Sequence, residues 1–510
     1  MKIGFALPLA CLLISTAATA ATPDSTQDLD TYVQKVMDQW QVPGLAIAVV
    51  QDGKVVLAKG YGLRELGKPG KVDADTLFDI ASNTKAFTAA ALGTLVSSGK
   101  LSWDAHVVDY VKPFRLGDAY VTQNITLRDL LTHDSGYCDP GAMWYSSDDT
   151  DAIARLRYQK PDYGFRAEFC YNNMLYLTAS RFIPAVTGES WNDYVAEKFF
   201  KPLGMDRSVT TTAALAASSD VAAPHALLDK HVDVIHGYWP DNMDIDAPVG
   251  GIDSSASDMG RWLLMLLTDG SYGGKAVLPP AVLEAMETPQ AIIKADNESG
   301  RILRTWMPGA TFYTYGLGFF IQDYAGHKLV WHAGDIDGMA SALAMVPDAH
   351  LGVVVLSNLD HSDARFAILQ HILQERLGLP AQDASDALYA ESQKAIQDGE
   401  AEDKKLADTR KPGAKAPLPL TDYTGLYRDD FDGSAEVTEE GGHLVLRLGN
   451  PDFTGDLAPW QDDTFRVTWR YAFYGKDYVT FTQDAYGKPS GISFAETGLK
   501  FEKVEEAGKQ

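Results

Sequence analysis

The sequence is poor in cysteine, in positive charge and in long apolar runs, and each shortage removes a class of function. Three cysteines occur in 510 residues, without the paired spacing that a cysteine-held zinc requires. Lys and Arg number 44 against 69 Asp and Glu, a net charge of −25. A surface this acidic repels nucleic acid and anionic lipid, so neither is an expected partner. After a first apolar run, Ile3 to Ile14, no stretch offers the roughly 18 consecutive apolar residues of a membrane-spanning helix. No G-x-S-x-G is present, which removes the ordinary nucleophile elbow. His225, His231 and His236 miss the H-E-x-x-H spacing of a helix-borne zinc pair. No metal or cofactor is expected.

What stands at the start is an export signal: Lys2, the apolar run, then Ala18-Thr19-Ala20 as an A-x-A cleavage site before Ala21. Residues 1–20 are expected to leave, and the remainder to be periplasmic or secreted. Cys11 goes with the leader, so Cys138 and Cys170 remain in a compartment where a disulfide persists. One bridge or two separately buried thiols both fit. A bridge would close a loop of about thirty residues and stabilise by roughly 3–4 kcal/mol.

Leu29, Val33, Val36, Met37 and Trp40 fall on one helical face. Leu45 to Val50, Asp52-Gly53 and Val55 to Lys59 read as a β-hairpin around a tight turn. From Gly99 to about residue 300, short helical segments alternate with polar turns, Thr126 and Asp129 at capping-box spacing among them. Strand patterns return at Tyr315 to Phe320, Lys328 to Trp331, Ala340 to Val346 and Leu351 to Leu356, before a helix from Ala364 to Leu377. Hairpins at both ends of a helical stretch imply an α+β fold. One antiparallel sheet is flanked by the first and last helices, with a large, mainly helical insertion at its side. This unit should occupy residues 21–380, with a charged helix and linker over 381–419. Short strands without a long helix fill 420–510, and they lose their exposed edges by closing into a small β-barrel.

The candidate chemistry begins at Ser82. An apolar run stops there and a helical pattern, Phe87 to Leu95, begins and ends at Gly99. At a helix N-terminus the free N–H groups favour negative charge on the serine oxygen, and Lys85 lies on the same face of the first turn. Ser97 and Lys100 repeat the spacing at the helix end, where the dipole has the wrong sign. The plain alternative for Ser82 is an N-cap. Thr132-His133-Asp134-Ser135 carries triad residue types, but chain neighbours cannot face one another as a triad, and the segment reads as a turn. Further on stand Tyr171-Asn172-Asn173 and His332-Ala333-Gly334, the latter ending a strand pattern.

In this order Ser82-x-x-Lys85, Tyr171-x-Asn173 and His332-x-Gly334 resemble the three motifs of the class C β-lactamase-like serine hydrolases. That family includes D-peptidases, D-aminopeptidases, carboxylesterases and penicillin-binding-protein-like enzymes. Val42 to Gly44, Leu130 to Gly136, Gly250 to Ser255, Tyr315 to Gly318 and Val353 to Asn358 look like further landmarks, so the resemblance spans about residues 27–378. The tail looks like the lipocalin-like barrel that some members carry. The resemblance implies a serine β-lactamase/penicillin-binding-protein-like fold and an exported hydrolase acting through an acyl-enzyme on amide, peptide or ester bonds. It implies Ser82 as nucleophile, Lys85 as cation and proton partner, Tyr171 as base, Asn173 as partner of Lys85 and substrate, and His332 at the third motif. The N–H groups of Ser82 and Asp335 become the oxyanion hole, with Ala333 and Gly334 beside the substrate. Tyr137 and Trp144, on the loop from Gly136 to Tyr145, are candidates for the wall of an apolar pocket, a packed loop being the alternative. A β-lactamase, a DD-carboxypeptidase or penicillin-binding protein, and a catalytically silent ligand binder remain as alternatives.

Two departures set expectations for specificity. His-Ala-Gly replaces the Lys-Thr-Gly of typical β-lactamases, removing a fixed cation, and Asp335 and Asp337 follow it. The expected substrates therefore lack a carboxylate at that position, and the two aspartates should favour a charged His332. The expected partner is a small molecule or short peptide.

Overall fold

The computed structural model describes residues 25–139, 149–228, 230–236, 243–408, 410, 413–450 and 453–504. The expected leader and Trp144 lie outside the described residues. Helix α1 (Ser25–Trp40) buries Leu29, Val33, Val36, Met37 and Trp40, the stripe read from the sequence. Strands β1 (Gly44–Gln51) and β2 (Lys54–Gly62) form the hairpin. Its turn residues Asp52 and Gly53 have φ of 50° and 73°, the left-handed pair that lets a two-residue turn follow the strand twist.

Later in the chain come β3 (Ala291–Ile293), β4 (Tyr313–Tyr315), β5 (Phe320–Tyr324), β6 (His327–Ile336), β7 (Met339–Val346) and β8 (Leu351–Ser357). With the hairpin they make one antiparallel sheet in the order β2-β1-β8-β7-β6-β5-β4-β3. The join between chain ends is β1 on β8, Ala46 opposite Leu356 and Ala48 opposite Val354. Strand alternation sorts side chains to two cores. Ile47, Val49, Val353 and Val355 meet Val33, Val36, Phe366 and Ile368 on one face. Ala46, Ala48, Val354 and Leu356 meet the insertion on the other.

The insertion supplies α2 (Thr84–Ser97), α3 (Asn173–Ser180), α4 (Ala247–Gly250) and α5 (Ala256–Leu267), and α6 (Ala364–Arg376) follows the sheet. The predicted charged segment is α7 (Ala384–Asp408). Its start is held on α1, where Trp40 Nε1 donates to Ser385 Oγ at 3.0 Å, and its far half meets Lys476 through Asp403 at 2.7 Å. Eight strands from Gly425–Asp429 to Lys500–Lys503 close into a barrel, the first pairing with the last through Tyr427 and Lys503. Tyr427, Val437, Leu446, Phe465, Phe481 and Ile492 fill it. The barrel touches the hydrolase-like unit where Tyr471 and Phe473 pack with Ile336, Leu228 and Ile235, and where Arg155 donates to the Phe431 carbonyl at 2.8 Å. No described helix is long and apolar enough to cross a membrane.

Candidate active site

Ser82 sits in a one-turn 3₁₀ segment, Ala81–Asn83, that runs into α2. Ala81 has φ of 47°, a left-handed conformation that costs a residue with a Cβ about 1–3 kcal/mol and persists only when the surroundings enforce it. Three contacts enforce it. Asp79 Oδ1 accepts the Ala81 N–H at 2.7 Å. Ser341 of β7 donates to the Ile80 carbonyl at 2.7 Å and accepts from Asn83 Nδ2 at 2.8 Å. Gly334 of β6 lies so close that a Cβ there would stand 2.3 Å from the Ile80 oxygen. Asp79 is directly opposite Asp253 in a short strand pair, and burial pushes both carboxyls up.

Lys85, in the first turn of α2, is fully buried. Its Nζ lies 3.0 Å from Ser82 Oγ, 2.7 Å from Asn173 Oδ1 and 2.8 Å from the Val249 carbonyl of α4. Asn173 shows its oxygen to the amine because its Nδ2 donates to Asp139, which also accepts the Asn173 N–H at 3.1 Å. Two of the three neighbours of Nζ can only accept, whereas the serine hydroxyl can donate. A neutral amine fits this set, with two N–H bonds to Asn173 and Val249 and its lone pair toward Ser82. Burial pulls Lys85 down to about 7, against the attraction of Asp139 and Asp246.

Tyr171 completes the group. Its buried hydroxyl closes no hydrogen bond but faces Ser82, and burial pushes the phenol well above 10, with Ser82 opposing. Lys85 Nζ stands 5.0 Å from the centre of its ring, and His133 stacks on that ring at 4.2 Å and 26°. His133 is held in turn by the Asn172 N–H, donated to Nδ1 at 3.0 Å. The segment around His133 is a turn, as read from the sequence, and it ends the helix Leu127–Thr132, but its imidazole supports Tyr171, a contact no local pattern announces.

The third motif differs from expectation. His332 is buried behind Tyr171, its Nδ1 donating to the Ala333 carbonyl at 2.6 Å and its Nε2 accepting from the Tyr315 hydroxyl at 3.0 Å. Burial and Lys85 pull it down to about 3, so the expectation of a charged His332 fails: desolvation outweighs Asp335. Nor are the two aspartates free. Arg365 of α6 grips Asp335 with two hydrogen bonds, 2.6 and 2.8 Å, and also donates to the Gly334 carbonyl at 2.9 Å. Burial and Asp360 push Asp337 up to about 6, with His361 and the barrel's Tyr474 hydroxyl opposing.

A small cavity of about 40 Å³ opens beside Ser82, lined by Ala81, Asn173, Asp246, Val249, Asp335 and Ile336 among others. Ala333 turns its side chain into the core between the sheet and helices α1 and α6, and Gly334 packs on the nucleophile turn, so their side-chain positions do not line it. Tyr137 is a further correction. Its ring is fully buried in the insertion core and its hydroxyl accepts the Asp118 N–H at 2.9 Å, so it packs the loop instead of walling a pocket. Cys138 and Cys170 are bridged, their Cα atoms 4.9 Å apart, and adjoin Asp139 and Tyr171. His225 engages the Leu66 N–H and the Asn358 carbonyl, each at 3.0 Å. Asp139, Asp246, Ser341 and Arg365 belong to the site or its frame and went unnoticed in the sequence, where they follow no spacing.

The family model described as Beta-lactamase matches residues 29–376, and one described as a domain of unknown function (DUF3471) matches residues 409–509. An unguisins hydrolase of Aspergillus campestris is 28% identical over 421 residues, which are 79% of this chain and 75% of that protein. Protein flp of Staphylococcus aureus is 27% identical over 350 residues, 66% of this chain and 64% of its own. The octameric penicillin-binding protein homologue of Pyrococcus abyssi has the same fold, with a TM-score of 0.61 at 23% identity, covering 94% of this chain and 100% of that one.

Proposed function

The chain belongs to the beta-lactamase family and is a serine hydrolase, and from that premise we propose that it is exported and cleaves amide, peptide or ester bonds through an acyl-Ser82 intermediate. The observation that carries this is Lys85 Nζ at 3.0 Å from Ser82 Oγ, with Asn173 and Val249 as its other partners. Lys85 takes the Ser82 proton as Oγ bonds to the scissile carbonyl carbon. The N–H groups of Ser82 and Asp335, both at the cavity, donate to the oxygen that becomes negative. The tetrahedral species collapses, the bond to the leaving nitrogen or oxygen breaks, and Lys85 returns the proton to that atom through the Tyr171 hydroxyl. Water then attacks the Ser82 ester, Lys85 taking its proton, and the acid departs as Ser82 is restored.

Assigning the base to Lys85 revises the expectation for Tyr171. A phenol pushed well above 10 stays protonated at neutral pH, whereas an amine near 7 is half deprotonated. The buried, neutral His332 offers no cation to a substrate carboxylate, which favours uncharged or amine-bearing substrates over β-lactams. The Cys138–Cys170 bridge favours an oxidising compartment. A fluorophosphonate probe should label Ser82 in wild type and leave Ser82→Ala unlabelled, with turnover of a p-nitrophenyl ester reduced at least about a thousandfold in the variant. An adduct mapped to another residue, or equal turnover, contradicts the reading.

A further inference from the structure

Among the described polar side chains at the cavity, Ser82, Asn173 and Asp335 are each engaged by hydrogen bonds within the protein. Asp246 is not. It is 6% exposed, and its Oδ1 is buried without a hydrogen-bond partner. Its backbone carbonyl accepts the Val249 and Gly250 N–H groups at 2.9 and 3.1 Å, so it is fixed at the start of the turn that carries Val249 to Lys85. Lys85 does not serve it, since Ser82, Asn173 and Val249 fill the three directions of the amine.

A buried carboxyl without a donor is an expensive group to keep, and its affinity is for a cation that brings N–H bonds with it. Burial and Asp139 push Asp246 up to about 8, and Lys85 draws it down; an arriving ammonium acts in the same sense as Lys85. Asp335 cannot take that part, because both its oxygens are held by Arg365. On the acyl-Ser82 reading Lys85 and Tyr171, both buried at their polar atoms, serve the leaving atom, and the cavity lined by Ser82, Asp246 and Asp335 is the side left for the acyl part of the substrate.

We propose that Asp246 is a specificity residue that binds an ammonium group on the acyl part of the substrate, making aminoacyl amides and esters the preferred class. This rests on the acyl-Ser82 reading above. Alanine p-nitroanilide, in each enantiomer, and propionyl p-nitroanilide share a leaving group and differ in the amine. At about pH 7, where that amine is largely protonated, wild type should favour one of the alanine enantiomers in kcat/KM by at least about tenfold, chiefly through KM. In Asp246→Asn and in Asp246→Ser the ratio should fall at least about tenfold. A wild-type ratio near one for both enantiomers, or a ratio preserved in either folded variant, overturns the proposal. The fluorophosphonate probe, which carries no amine, separates the two readings. Labelling at Ser82 with a ratio near one removes the role of Asp246 alone, and absence of labelling removes both.

Discussion

At the scale of single residues, the chemistry turns on which buried groups carry a proton at neutral pH. Lys85 near 7 gives a definite pH dependence. Its folded-state value lies below that of a free lysine, so the neutral base is scarce below pH 7 and grows as pH rises through it. With an uncharged p-nitrophenyl ester, kcat/KM should climb about tenfold per unit below about pH 7 and level above it. Tyr171, pushed well above 10, and His332, near 3, add no falling limb between pH 7 and 9. A stopped-flow rate profile that is flat from pH 5.5 to 8.5 contradicts this. His332→Lys offers a second test. Lysine there would lose the Tyr315 bond and bury a charge near Lys85, so the variant should be destabilised by about 3 kcal/mol or more in a urea melt. It should gain no nitrocefin hydrolysis. Ser82 and Lys85 stand out in the sequence because they share one helical turn, whereas Tyr171 and Asn173 are marked only by the resemblance of their motif to that of the family. Asp139, Asp246 and Arg365 act across tens to hundreds of residues, and no spacing records that.

At the scale of elements, the site depends on β6 and β7 pressing against the turn that carries Ser82. Gly334 is required because a methyl group there would meet the Ile80 oxygen at 2.3 Å, the Ser341 hydroxyl at 2.6 Å and Ala81 Cβ at 2.9 Å. Gly334→Ala should therefore push the strand from the turn, destabilise by about 1–3 kcal/mol and reduce kcat far more than KM, because the Asp335 N–H moves with the strand. Ser341→Ala, which only removes two hydrogen bonds, should cost about 1–3 kcal/mol with a smaller loss of kcat. Equal kcat losses in the two variants would show that strand spacing is not the controlling variable. The elements themselves were readable where one physical rule dominates. The Asp52-Gly53 turn gave the hairpin, and Thr126 and Asp129 form the capping box that their spacing predicted. The weaker reading was α2, which is buried almost all round. Its polar positions Thr84, Lys85 and Thr88 face a second protein layer instead of water, so no polar stripe marked how deep the nucleophile helix lies.

At the scale of the whole molecule, the hydrolase-like unit and the barrel meet beside the cavity, and nothing in either half taken alone announces it. Strand alternation predicted that residues 420–510 lose their edges by closing, and the eight-stranded barrel does so. Where it docks is decided by half-buried residues, Tyr471 and Phe473 among them, whose partners lie more than a hundred positions away. Ile336 joins the two units: it lines the cavity and also packs in the cluster containing Tyr471 and Phe473 of the barrel. Next to it, Asp337 faces the Tyr474 hydroxyl. Truncating Phe473 removes apolar area from the Ile336 side without touching Ser82, Lys85 or Asn173. Phe473→Ala should therefore leave the fluorophosphonate labelling rate of Ser82 within about twofold, while KM for a bulky acyl ester rises about three- to tenfold, the effect of roughly 1 kcal/mol of lost packing. The corresponding KM for an acetyl ester, too small to reach Ile336, should stay unchanged. If both esters respond alike, the barrel acts on the fold of the hydrolase unit as a whole and not on the wall of its cavity.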